Sequence, residues 1–255
     1  MRFLGKRLLL FVGALVGLSL LVFALLRILP GDVAAVVAGT NATAERLTSL
    51  RAQMGLDKSY AAQYGDWVLG LLHGDLGTSV VSGKAVSAQV SSRASVTFPL
   101  IVLSLLIALA IGLPLGCAAV LTRNVRLRGV FHAAAIVAGA IPALWGGLLL
   151  ILLFSKGIGL MGLLPSQGFP DAGWAAPLSA MAALVLPALA TGITAGASIM
   201  RYTRAAVGDM ASSQAVAMAM ACGMTRRQAV LRVALRLAIP QLVSVIGLTF
   251  AQMVT

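Results

Sequence analysis

Side chains that could carry out catalysis are sparse and scattered in this sequence. The two histidines, His73 and His132, and the two cysteines, Cys117 and Cys222, each stand alone. There is no H-E-x-x-H, and no two carboxylates share an apolar stretch, so neither metal-assisted hydrolysis nor a paired general acid and base is spelled out. The cysteines are too far apart in the chain to suggest a bridge or a metal site and read as packing residues. Gly77 to Lys84 comes close to the pattern of a phosphate-binding loop. Five residues rather than four separate Gly77 from Gly83, however, and Ala85 stands where a Ser or Thr would hold Mg²⁺. No catalytic residue, cofactor-binding residue or metal ligand is therefore expected in this chain.

The elements that carry these residues are set by composition. Of the 255 residues 60% are apolar and 10% charged, against about a quarter charged in a soluble domain. That balance excludes a soluble enzyme. Five intervals lack Asp, Glu, Lys and Arg: Leu8 to Leu26, Ala94 to Thr122, Gly129 to Ser155, Ala172 to Met200 and Leu237 to Thr255. Each matches the roughly 20 apolar residues that a helix needs to cross a bilayer, where the backbone must satisfy its own hydrogen bonds. The first interval is longer than a signal-peptide core and no A-x-A-like cleavage site follows it, so it reads as retained. The fold class expected is an all-α integral membrane bundle with spans at about 8–29, 96–122, 130–155, 177–200 and 237–255. The spans contain no buried Asp, Glu, Lys or Arg of the kind that marks an ion route, which disfavours an ion-coupled secondary transporter.

Charge asymmetry gives the orientation. With the N-terminus in the cytoplasm, the inner segments hold twelve cations, from Arg2 to Arg236, against the single anion Asp209, while the outer segments hold seven cations against six anions. The same asymmetry accounts for the high isoelectric point, and without aromatic interleaving it implies no nucleic-acid partner.

Two loops are longer than joining helices requires. In the outer loop, 30–93, Leu47, Leu50 and Met54 predict a short helix ended by Gly55. Tyr60, Tyr64, Trp67, Val68, Leu71 and Leu72 predict a second, closed by His73 and Gly74, whose stripe suits the membrane surface, a neighbouring helix or a partner protein. The cytoplasmic loop, 201–236, reads as two short helices joined at a glycine. Ser212 or Ser213 can cap the first and Gly223 supplies a left-handed stop, after which Thr225 and Gln228 form a capping box. Small Ala215 and Ala219, adaptable Met218, Met220 and Met224, and the charged edge of Arg226 and Arg227 suit insertion into another protein.

This loop is similar to the "EAA" coupling segment of permease subunits in binding-protein-dependent ABC importers, with Gly223 at the family's fixed glycine. Further segments resemble the first permease of the subfamily that imports di- and oligopeptides. Arg27-x-x-Pro30-Gly31-Asp32 matches the end of that subfamily's first span. Met54-Gly-Leu-Asp57-Lys58, Gln63-Tyr64, Trp67 and Gly70-Leu-Leu-His-Gly74-Asp75-Leu-Gly77 resemble its outer loop. Ile141-Pro-Ala-Leu-Trp145, Leu164-Pro165, Leu186-Pro-Ala-Leu189 and Arg201-x-Thr-Arg204 continue the match in order.

The resemblance implies a single transmembrane permease domain over 1–255, of the type I ABC importer kind, in the bacterial cytoplasmic membrane. It implies that the chain forms half of a translocation pathway for peptides, in contact with membrane lipid, a second permease subunit, two ATPase subunits and an extracytoplasmic substrate-binding protein. ATP and Mg²⁺ would be bound by the ATPases alone. It assigns ATPase coupling to Ala215, Ala219, Gly223, Met224, Thr225, Arg226 and Arg227, and outer-loop motif positions to Arg27, Pro30, Gly31, Asp32, Asp57, Lys58, Trp67, Gly74 and Asp75. Nickel or glutathione import are alternatives within the family, and a non-transporting scaffold is the alternative outside it. Two departures stand out. Ala217, Met220 and Cys222 lie where Arg or Lys usually precedes the glycine, and the family's sixth span is not found, so a truncated sequence or an unusual variant is expected.

Overall fold

In a computed structural model the chain is described at residues 2–28, 33–38, 43–79, 82–166 and 168–254. It gathers into two compact units, Met1–Arg93 and Ala94–Thr255.

In the first unit, α1 (Arg2–Ile28) is an apolar helix whose large side chains stand exposed, among them Leu9, Phe11 and Leu15. After α2 (Val33–Ala38), α3 (Ala44–Gln53) starts at Thr43, whose hydroxyl accepts from the Arg46 N–H, and stops before Gly55 at φ +65°. Next comes α4 (Tyr60–Leu72), capped by Ser59 and closed by His73 and by Gly74 at φ +80°. Both short helices, α3 and α4, lie where the apolar spacing and the glycines put them.

The second unit holds the rest of α5 (Val86–Leu121), then α6 (Val125–Ala140), α7 (Ala143–Phe154), α8 (Pro177–Ala211), α9 (Gln214–Ala221), α10 (Arg226–Ala229) and α11 (Leu235–Val254). A π-helical turn, Val230–Ala234, joins α10 to α11. Among the described residues, α1, α5, α8 and the run Arg226–Val254 are each long and apolar enough to cross a membrane.

The interval expected as one span at 130–155 is instead two helices, α6 and α7, meeting at 98°. The cause is local. Pro142 has no N–H to donate and its ring pushes the preceding residue out of helical geometry, and Ile141 accordingly sits at φ −76°, ψ 119°. Hydropathy is continuous across the break, so the charge-free interval does not reveal it. At the other spans each charge-free window overlaps a helix of different extent: 8–26 lies inside α1, 94–122 takes in the C-terminal part of α5, 172–200 the N-terminal part of α8, and 237–254 nearly all of α11.

Helix α8 is the centre of the unit, burying Leu184, Leu186, Ile199, Thr203 and Val207. Its seam with α5 is made of glycines. A β-carbon at Gly112 would fall 2.7 Å from Ile199 Cβ, and one at Gly192 would fall 2.9 Å from Ile107 Cβ. Two of the small-xxx-small pairs in the sequence, Gly112/Gly116 and Gly192/Gly196, thus let the two backbones meet closely. Ser104 Oγ and Thr191 Oγ1 share a hydrogen bond of 2.7 Å across the same seam. The carbonyl of Ala135 on α6 accepts from the Arg201 guanidinium of α8 at 3.0 Å.

Candidate functional site

The chain leaves α8 at Ala211 and turns through Ser212 and Ser213 into α9. Ser213 holds the cap position by backbone angle, yet its buried hydroxyl has no hydrogen-bond partner among the described residues, while Ser212 Oγ donates back to the Asp209 carbonyl at 2.8 Å. The Ser213 carbonyl accepts from the Val216 and Ala217 N–H groups at 3.1 Å, but neither serine hydroxyl caps the helix.

The end of α9 is built as the sequence implies. Gly223 takes φ +93°, a left-handed conformation that costs a side-chain-bearing residue about 1–2 kcal/mol. The Met224 N–H then donates to the Ala219 carbonyl at 3.1 Å, closing the helix end. The capping box is complete. The Thr225 N–H donates to Gln228 Oε1 at 3.0 Å, and the Gln228 N–H donates to Thr225 Oγ1 at 3.3 Å.

This helix–glycine–helix is anchored from below. Val216 is 1% exposed and lies in one apolar cluster with Cys117 of α5, Ala206 and Val207 of α8, Ala229, Val230 and Ala234 before α11, and Leu242 within it. Three runs of helix that enter the bundle, α5, α8 and Arg226–Val254, therefore meet beneath α9. The outward face is different: Ala215, Met218, Met220, Gly223, Met224, Thr225, Arg226 and Arg227 are exposed. Ala219 is half-buried and packs against the cluster. The result is a narrow apolar ridge of Ala and Met, edged by two guanidinium groups, on a rigid base. The burial of Val216 was not visible in the sequence, where it is one more apolar residue in an alanine-rich run.

The motif positions of the 30–93 loop that are described form their own assembly in the first unit. Gln63 Nε2 donates to the carbonyls of Leu56 and Lys58 at 3.2 and 2.7 Å, clasping the Met54–Lys58 turn to α4. Lys58 Nζ pairs with Asp66 at 2.6 Å, with both side chains 58% exposed. Tyr64 donates to or accepts from Ser19 Oγ at 2.8 Å and sits edge-on to Phe23 at 5.4 Å, with Trp67 tilted beside it at 5.8 Å. Asp75 Oδ1 accepts from the Gly77 N–H at 2.8 Å, and the Asp75 N–H donates to the Gly70 carbonyl at 2.9 Å, across Gly74. Asp57 is exposed in the turn between α3 and α4. The Arg27 side chain, with Pro30, Gly31 and Asp32, lies outside the described residues.

Gly77 to Ala85 folds back on itself. The Ser79, Gly83 and Val86 N–H groups donate to the carbonyls of Lys84, Ser79 and Gly77, so these amides are spent on the turn. Among the described residues no group of three or more His, Cys, Asp or Glu converges as a metal site would require.

Comparison with known proteins bears on the whole chain. Residues 1–101 match the N-terminal segment of binding-protein-dependent transport system membrane components, and residues 108–255 match the binding-protein-dependent transport system inner membrane component. The chain is 33% identical to the glutathione transport system permease protein GsiC of Salmonella typhi over 96% of its own length and 76% of that protein's. It is 31% identical to the dipeptide transport system permease protein DppB of Escherichia coli K12 over 97% of its own length and 79% of that protein's.

Proposed function

This chain belongs to the family of binding-protein-dependent transport system inner membrane components, and from that premise we propose how its parts act. It is a transmembrane permease subunit of an ABC peptide importer, a multi-pass protein of the bacterial inner membrane. Glutathione and dipeptides, named for its relatives, are both short peptides, and short peptides are the substrate class assigned here.

In this reading residues 1–255 act as one permease domain with the N-terminus in the cytoplasm. A second permease subunit supplies the other half of the pathway. An extracytoplasmic binding protein delivers the peptide to the side that carries the 30–93 loop. Two ATPase subunits bind ATP and Mg²⁺, carry out hydrolysis and grip the 201–236 loop, so the chain itself has no catalytic part.

The observation that supports the coupling role is the seating of α9. Its Met and Ala ridge is free to enter a cleft, while Val216 beneath it is packed against α5, α8 and the run into α11. A push on the ridge therefore reaches three spans at once instead of bending a loop. Ala215, Ala219, Gly223, Met224 and Thr225 shape the insert, and Arg226 and Arg227 stand at its charged edge.

Affinity purification of the tagged chain from native membranes, with identification of stoichiometric partners, tests this. Recovery of a second permease and of ATPase subunits is expected, and Gly223→Pro should remove the ATPases while leaving membrane insertion intact. A chain recovered alone or only with copies of itself would overturn the importer reading, and unchanged ATPase recovery with Gly223→Pro would overturn the insert.

A further inference from the structure

Beside the candidate site, between the end of α5, the start of α6 and the start of α10, lies a cavity of about 560 Å³. Its two sides differ in chemistry. The floor is apolar, formed by Leu121 of α5 and by Leu127 and Phe131 of α6, and Phe131 continues into the packed cluster of Ala119, Ala135 and Met200. The rim carries Arg123, Arg226 and Arg227, and among the described residues no carboxylate lines the cavity.

The arginines are largely uncommitted. Among the described residues, Arg226 reaches only the Val120 carbonyl, at 3.4 Å, and Arg123 and Arg227 have neither a hydrogen-bond partner nor an ion-pair partner. The turn that carries Arg123 is held by other groups: Asn124 Oδ1 accepts from the Arg126 and Leu127 N–H groups, and Arg128 donates to the Thr122 carbonyl. Arg123 is thus presented without being needed to keep the turn in shape.

We propose that this cavity binds one anionic phospholipid, its phosphate held by Arg123, Arg226 and Arg227 and an acyl chain laid along Leu121, Leu127 and Phe131. Three guanidinium groups with no carboxylate among them call for an anion, and guanidinium is the side chain best shaped to take a phosphate in paired hydrogen bonds. The apolar floor makes that anion an amphiphile. A carboxylate from a protein partner would satisfy the rim and leave Leu127 and Phe131 uncovered, whereas a lipid satisfies both. Basic pockets between membrane helices are suited to such headgroups. Two of the three rim arginines stand on α10, directly after Gly223 and Thr225, so an occupied site would brace the second half of the helix–glycine–helix. The leaflet from which the lipid comes rests on the orientation proposed above; the chemistry of the cavity does not.

The test uses the full complex, purified with whatever subunits accompany it, delipidated in mild detergent and titrated separately with phosphatidylglycerol, phosphatidylcholine and inorganic phosphate. Bound lipid is counted by mass spectrometry of the intact complex. One phosphatidylglycerol per copy of this chain is expected, with retention at least tenfold above phosphatidylcholine. Arg123→Gln should lower that retention about fivefold, while Arg232→Gln, at an exposed arginine outside the cavity, should leave it unchanged. Equal retention of both lipids, or an equal loss with Arg232→Gln, would overturn the site. Displacement of phosphatidylglycerol by equimolar phosphate would reduce it to a bare anion site and overturn the acyl-chain half. Loss of ATPase subunits with Arg123→Gln at unchanged lipid count would hand the rim to a protein partner. Absence of ATPases from the wild-type complex would count against the importer reading alone, because the lipid count is independent of it.

Discussion

Gly116 of α5 lies so close to Thr203 of α8 that a β-carbon on it would fall 2.6 Å from Thr203 Cβ and 2.9 Å from the Met200 carbonyl. Neither neighbour can rotate away, since one is the branched root of a side chain and the other is backbone. Gly116→Ala should therefore force the helices apart and destabilise the protein by about 1–3 kcal/mol. Gly129→Ala is the matched control, because nothing lies within 4 Å of its would-be β-carbon and the change removes a flexible residue from a helix. Thermal inactivation in detergent should show a clear loss for the first and none for the second. Equal behaviour would mean that the two helices have room at this point.

Val216 separates docking from transmission. Val216→Ala should loosen the base of α9, costing about 2 kcal/mol as a buried truncation, without altering the exposed ridge. ATPase subunits should still co-purify, while substrate-stimulated hydrolysis in proteoliposomes should fall several-fold. Met218→Ala, on the 71%-exposed side of the same helix, should do the reverse and weaken co-purification. If both variants behave alike, α9 has no distinct anchored and docking faces.

Thr225→Ala removes the acceptor for the Gln228 N–H and opens one half of the capping box. The cost expected is about 1 kcal/mol, localised to the first turn of α10. Hydrogen exchange at residues 226–229 should speed up about fivefold with the rest of the bundle unchanged, and Thr225→Ser should restore protection.

In the 30–93 loop, the charged contact is expected to matter less than the neutral one. Lys58 and Asp66 are both 58% exposed, so Lys58→Gln should change stability by less than about 0.5 kcal/mol. Gln63→Ala loses two bonds to the Leu56 and Lys58 carbonyls and should cost about 1–3 kcal/mol. Limited proteolysis of the 54–59 turn is the readout: it should accelerate for Gln63→Ala and not for Lys58→Gln.

Where an element depends on its own residues, it was legible in the sequence. Gly55, Gly74 and Gly223 end helices where their lack of a β-carbon allows a left-handed turn, and Thr225 with Gln228 closes the expected box. The glycine pairs of α5 and α8 could be listed from spacing, but not that Gly112 would meet Ile199, because facing partners are set by how two helices cross. The break at Pro142 escaped for a different reason: hydropathy counts apolar residues and does not register a missing N–H. Val216 looked like its neighbours until three other helices supplied the cluster around it. The Arg201 link to the Ala135 carbonyl was hidden likewise, since a cation at a span end reads first as a topology signal.

The seam has length as well as closeness. Helix α8 has 35 residues, a contour of roughly 52 Å at the usual helical rise, against a hydrocarbon thickness of about 30 Å. Its close approaches to α5 run from Gly192 to Thr203, about 16 Å of it, leaving an arm of roughly 22 Å towards Pro177 and one of roughly 12 Å towards Ala211. The shorter arm is the one that continues into α9, so what is attached there sits about two helical turns from the point where α8 and α5 are locked together.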